Sequence, residues 1–78
     1  SGTYLTTNKI NLETTSWVRD ASEIDSFIVY MCVNGAGVIS INGKKETLQK
    51  GETVLVPALC KEIEISTLGT FEALEVYI

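Results

Sequence analysis

The pair Asn42-Gly43 sits between two short runs, Val38 to Ile41 and Glu46 to Leu48, and is the strongest two-residue hairpin signal a sequence carries. Other turn signals flank it at intervals of a few residues: Asn34-Gly35-Ala36-Gly37, Gln49-Lys50-Gly51, Pro57 and Thr67-Leu68-Gly69-Thr70. The segments between them are rich in β-branched and aromatic residues, and too short for amphipathic helices. Tyr4 to Leu12, Trp17 to Arg19, Phe27 to Val33, Val38 to Ile41, Glu46 to Leu48, Thr53 to Val56, Lys61 to Ile65 and Phe71 to Ile78 are therefore expected as strands. The one window with any helical character, Asp20 to Phe27, is short and polar. About eight short antiparallel strands without a helix imply an all-β jelly-roll barrel or sandwich.

Seventy-eight residues are enough for a single domain spanning 1–78, with no linker or repeat. A chain this short buries only about 60% of its unfolded surface, so its stability is marginal and a partner surface helps it. The net charge is −4, and the only basic doublet is Lys44-Lys45 beside a turn. Nucleic-acid binding needs a basic stripe to displace counterions, and anionic membranes ask for the same; neither partner is expected. The longest apolar run, Phe27 to Val33, has seven residues, far short of a membrane span. Ser1-Gly2-Thr3 is not followed by a basic region and an apolar core, so no secretory signal is read there. Cys32 and Cys60 are read as two free, mostly buried thiols in a reducing cytoplasm, with a disulfide between them as the alternative.

The run from Val33 to Ala58, V-N-G-A-G-V-I-S-I-N-G-K-K-E-T-L-Q-K-G-E-T-V-L-V-P-A, resembles the central hairpin region of the cupin family. Gly35 and Gly37, Asn42-Gly43, Gly51-Glu52 and Pro57-Ala58 carry that likeness. With the opening Y-L-T-T-N-K-I-N-L, the strand F-I-V-Y-M-C-V-N-G and the ending L-E-V-Y-I, the whole chain is similar to the C-terminal domain of type I mannose-6-phosphate isomerases in their short bacterial form. That family is zinc-dependent, cytoplasmic, and interconverts mannose 6-phosphate and fructose 6-phosphate. Its chains are several times longer, and the resemblance implies a terminal fragment ending at Ile78 without the catalytic half.

Metal-binding cupins hold a divalent ion with three His and a Glu. This chain has no histidine. By the family spacing the Glu position falls on Ile28, the paired His positions fall near Ala21 to Ile24, and the late His position falls on Glu62. No metal or other cofactor is expected in this chain; zinc belongs to the parent enzyme by resemblance. Glu62 is the only replacement with a ligating atom. An apolar-inward reading of Ile63 and Ile65 sends Glu62 and Glu64 to solvent, and a one-residue slip reverses this. The remaining candidates for chemistry are Glu23 and Asp25 as a base and Arg19, Lys9 or Lys61 as a phosphate clamp, all more simply read as solvated charges. No catalytic residue is assigned.

Alternation in the central strand places Ile28, Tyr30 and Cys32 on one face and Phe27, Val29, Met31 and Val33 on the other. Both faces are apolar, whereas a sheet with one wet face carries polar residues at alternate positions. Tyr30 and Cys32 are candidate barrel-lining residues, and Phe27, Val29 and Met31 a candidate docking face. The missing catalytic domain, a homodimer mate, or the chain's own Trp17 segment would cover that face. Two functions follow: a non-catalytic module that packs on and stabilises a sugar-phosphate isomerase, or a free-standing metal-less cupin holding a small ligand in its barrel.

Overall fold

A computed structural model describes residues 5–22, 24, 26–59 and 62–78. These form seven strands and no helix: β1 (Thr6–Glu13), β2 (Ser16–Asp20), β3 (Ile28–Ile41), β4 (Lys44–Gln49), β5 (Thr53–Val56), β6 (Glu62–Ser66) and β7 (Thr70–Tyr77). All pairings are antiparallel, and the path runs β1-β7-β3-β6-β2, with β4 and β5 both paired to β3. No helix among the described residues is long and apolar enough to cross a membrane.

The expected antiparallel all-β class stands, but the strand count and one turn require correction. Asn34 to Gly37 does not reverse the chain. It lies inside the 14-residue β3, whose first half pairs with β5 and β7 and whose second half pairs with β4 and β6. One long strand thus belongs to both faces of a sandwich. The register against β7 shifts between Cys32 and Asn34, a bulge that bends the strand where it changes partners. Gly35 sits there at φ 75°, and a Cβ on it would stand 1.8 Å from the Thr70 carbonyl oxygen. The glycine permits a close crossing of two backbones instead of a turn.

Asn42 and Gly43 do form the hairpin turn, at φ 52° and 80°, both positive as a type I′ turn requires. The Asp20-to-Phe27 window holds no helix among its described residues. There Asp20 Oδ1 accepts the Ser22 N–H at 2.9 Å, closing a tight turn. That bond holds the Asp20 carboxyl below its ordinary titration range.

Period-two alternation fills the space between the two sheets. β1 contributes Ile10 and Leu12; β3 contributes Ile28, Tyr30, Cys32 and Ile39; β6 contributes Ile63 and Ile65; β7 contributes Phe71 and Ala73. Trp17 packs against this cluster from β2, where it is paired with Ile65. β1 and β2, the two ends of the strand path, do not pair with each other, and neither do β4 and β5, each of which pairs only with β3.

Candidate functional site

One inward position departs from the apolar pattern. In β7, Phe71, Ala73 and Glu75 share the buried face, and Glu75 is only 2% exposed. Register sets its neighbours: Asn8 of β1 lies directly opposite on one side and Tyr30 of β3 on the other. Both reach its carboxylate. Asn8 Nδ2 donates to Oε1 at 3.1 Å, and the Tyr30 hydroxyl donates to Oε2 at 2.6 Å. Arg19, on the same face of β2 as Trp17, crosses the gap between the sheets and donates from Nη2 to Oε1 at 3.0 Å. Its guanidinium also stands 5.7 Å from the centre of the Tyr77 ring. A carboxylate taken out of water is tolerated only when its oxygens are filled in this way.

The group is a polar strut joining β1, β7, β3 and β2, not a set of free ligands. Among the described residues no three His, Cys, Asp or Glu side chains cluster as a metal site. The described positions where the family pattern places metal ligands do not fit one, and Glu23, within that pattern, lies outside the described residues. Ile28 and Ala21 are buried and apolar, Ile24 is half-buried against the core, and Glu62 is on the exposed side of β6 with Ile63 and Ile65 inward.

The other sequence candidates fall as follows. Tyr30 and Cys32 both point inward and are fully buried, Tyr30 in the strut and Cys32 with its thiol directed at the Asn34 carbonyl at 3.3 Å. Burial pushes the Cys32 thiol up from its ordinary range, the opposite of an activated nucleophile. Cys32 is a free thiol; Cys60, Glu23, Asp25 and Lys61 lie outside the described residues. Lys9 pairs with Glu72 at 3.5 Å on the outer face, where Asn34 Nδ2 also donates to Glu72 at 2.8 Å. The Asn34 bond, then Lys9, hold the Glu72 carboxyl below its ordinary range. Glu64 is exposed.

Phe27 and Met31 are 45% and 43% exposed, and Val29 is half-buried. Register extends this face across the sheet: Val29 lies between Leu55 of β5 and Val76 of β7, and Met31 between Thr53 and Leu74. Trp17 is committed to the interior, so the chain's own β2 segment does not cover these residues. Sequence reading identified the β3 part of this face but neither its continuation through Leu55, Leu74 and Val76 nor the Glu75 strut. The alternation of Phe71, Ala73, Glu75 and Tyr77 was the available signal for Glu75.

A cleft of about 430 Å³ opens between β1 and β2, lined by Asn8 to Leu12 of β1, Trp17 and Arg19 of β2, and Glu75. Among the described residues, Arg19 Nε is buried with no hydrogen-bond partner.

The family model described as the cupin domain of mannose-6-phosphate isomerase matches residues 2–78. No curated protein matches the chain in sequence. Among solved structures, a cupin superfamily protein from Desulfitobacterium hafniense is 19% identical over 100% of this chain and 70% of its own, with a TM-score of 0.80. The plu4264 protein of Photorhabdus luminescens is 17% identical over 96% of this chain and 62% of its own, at a TM-score of 0.81. The EutQ protein of Clostridium difficile is 18% identical over 94% of this chain and 55% of its own, at a TM-score of 0.74. At such identities the likeness is one of fold, and this chain spans 55% to 70% of these proteins' lengths. A sandwich whose β3 bends at Gly35 into both sheets, matched over nearly its whole length by one family, belongs to the cupin domains of mannose-6-phosphate isomerase.

Proposed function

We propose that this chain is a non-catalytic cupin module that packs on and stabilises the catalytic domain of a mannose-6-phosphate isomerase in the cytoplasm. The observation that carries this reading is the outer face of the β5-β3-β7 layer. Val29, Met31, Leu55, Leu74 and Val76 are neighbours in register there, Phe27 directly precedes β3, and Phe27, Met31 and Leu55 remain substantially exposed. An apolar patch of this kind on a small domain is characteristic of a surface that another protein covers. The family match supports the catalytic domain of the same protein as the partner. The interior supports the non-catalytic part of the reading: buried apolar Ile28 and Ala21 stand where the family pattern places metal ligands, Glu62 is on the exposed side of β6, and the one buried carboxylate among the described residues is bonded to Asn8, Arg19 and Tyr30.

An isolated module of this kind has its docking face open to water. Full burial of side chains this size contributes roughly 1.5–3 kcal/mol each, so even partial mutual burial offsets some of the entropy lost on association. Sedimentation equilibrium of the 78-residue chain is expected to show self-association with Kd on the order of 0.1 mM. Met31→Lys places a charge in the middle of the face and is expected to return the chain to monomer with its thermal midpoint little changed. A wild-type chain that stays monomeric at the highest soluble concentration, and does not respond to Met31→Lys, contradicts the docking reading.

A further inference from the structure

We propose that an extended segment of the partner domain adds as a strand to the open edge of β5, with apolar side chains seated in the groove between β5 and β4. This rests on the docking reading above and names how the partner is held. The phase of β5 follows from its first contacts with β3. Cys32 donates its N–H to the Glu52 carbonyl at 3.0 Å and accepts the Gly51 N–H at 2.9 Å, so its backbone groups turn toward β5. Alternate residues of an antiparallel strand turn toward the same neighbour, so Tyr30 and Ile28 face β5 as well, and their register partners Val54 and Val56 bond back to them. Thr53 and Leu55 then direct their N–H and C=O groups away from β3. Among the described residues no strand pairs there, since β5 pairs only with β3.

Each of these residues offers a donor and an acceptor, at the spacing where an extended chain bonds to a sheet edge. Unpaired edges are ordinarily guarded by charged side chains. β1 carries Lys9 and Glu13, β2 carries Arg19 and Asp20, and β4 carries Lys44, Lys45 and Glu46, whereas β5 (Thr53–Val56) carries no charge. Pro57, without an N–H, limits the pairing to that span. The groove beside the edge has a volume of about 430 Å³ and is lined by Ile41, Val54, Leu55 and Pro57, with Lys44 and Glu46 also in its wall. Ile41 and Val54 pack against the core from there. A residue of the added strand opposite Val54 shares its inward face, so an apolar side chain is required at that position. Leu55 joins the edge to the docking face. Its side chain, 60% exposed, lies opposite Val29 on the outer face, while its backbone groups lie on the open edge. A partner that covers the first already stands beside the second. A stable interface takes roughly 800 Å² from each partner, and the added strand extends a small outer patch toward that area.

Amide hydrogen exchange, read residue by residue, tests the assignment. In the isolated chain at low concentration, Val54 and Val56 are expected to exchange about tenfold or more slowly than Thr53 and Leu55, each relative to its unstructured rate. In the native protein purified from its source, Thr53 and Leu55 are expected to slow by about tenfold or more. Fast exchange at both in a native protein whose Met31 is shielded from peroxide would overturn the added strand and leave the docking reading standing. Met31 as open to peroxide in the native protein as in the isolated chain would remove the docking reading and this proposal with it. Slow exchange at Thr53 and Leu55 in the isolated chain would also overturn the proposal. At every concentration it would reverse the phase of β5, and at high concentration alone it would give the edge to a second copy.

Discussion

Gly35→Ala is expected to cost the fold about 4 kcal/mol, a third or more of its whole stability. The residue stands at φ 75°, and the added methyl would meet the Thr70 carbonyl oxygen at 1.8 Å, a backbone atom that cannot swing aside as a side chain can. Backbone strain of roughly 1–3 kcal/mol and overpacking of roughly 1–3 kcal/mol act together, for about 4 kcal/mol in all. A domain of this size has about 4–12 kcal/mol to lose. The site also organises its surroundings: the Gly35 carbonyl accepts the Lys50 N–H at 3.1 Å, and the adjoining Cys32 carbonyl accepts the Gly51 N–H at 2.9 Å. Shifting the bulge therefore disturbs the entry to β5 as well as the crossing of β3 with β7. Gly69→Ala is the control, because a Cβ there meets nothing within 4 Å. Urea titrations should show a large loss for Gly35→Ala and a change within about 0.5 kcal/mol for Gly69→Ala. Equal effects at the two positions would remove the steric account of the β3 crossing.

The second large effect concerns the buried strut. Glu75→Ala leaves the Tyr30 hydroxyl and the Arg19 guanidinium without the carboxylate that both address. Removing one member of a buried pair costs about 3–5 kcal/mol when the other is stranded in the interior. Arg19 retains 26% of its side-chain exposure, so water relieves part of the penalty and about 2–3 kcal/mol is expected. Replacing the set together, Glu75→Met with Arg19→Met and Tyr30→Phe, removes the buried charges and leaves the exposed Asn8 amide to water, and is expected to recover most of the loss. Denaturant midpoints of the single and triple variants decide this. A triple variant worse than Glu75→Ala would mean that packing, not polar satisfaction, governs the position.

What was legible in the sequence follows the range of the interactions involved. The Asn42-Gly43 turn depends on backbone preferences of two adjacent residues, and it forms as read. The alternation of Lys61 to Ile65 placed Ile63 and Ile65 inside and Glu62 and Glu64 outside, because a side-chain period of two is a local property. Asn34 to Gly37 reads as a turn in sequence because glycine marks both reversals and close backbone approaches. Only the position of Thr70, 35 residues away, makes Gly35 the second of these. Glu75 carries no local mark of its role, because its partners are 45, 56 and 67 residues distant and come from three different strands. Its placement with Phe71 and Ala73 was readable, but what neutralises it was not. The outer face was seen on β3 alone, since Leu55, Leu74 and Val76 join it only through register.

In the native protein another domain is expected to cover the outer face of β3. Met31 is the chain's only methionine, and it lies within that face at 43% exposure. Peroxide converts an accessible methionine to its sulfoxide, which adds one oxygen and is read by mass after digestion. The measurement compares the oxidation rate of Met31 in the isolated 78-residue chain with its rate in the native protein purified from its source. The docking account predicts ready oxidation in the isolated chain and at least tenfold slower oxidation in the native protein. Equal rates in the two, with Met31 readily oxidised in the native protein, would contradict it.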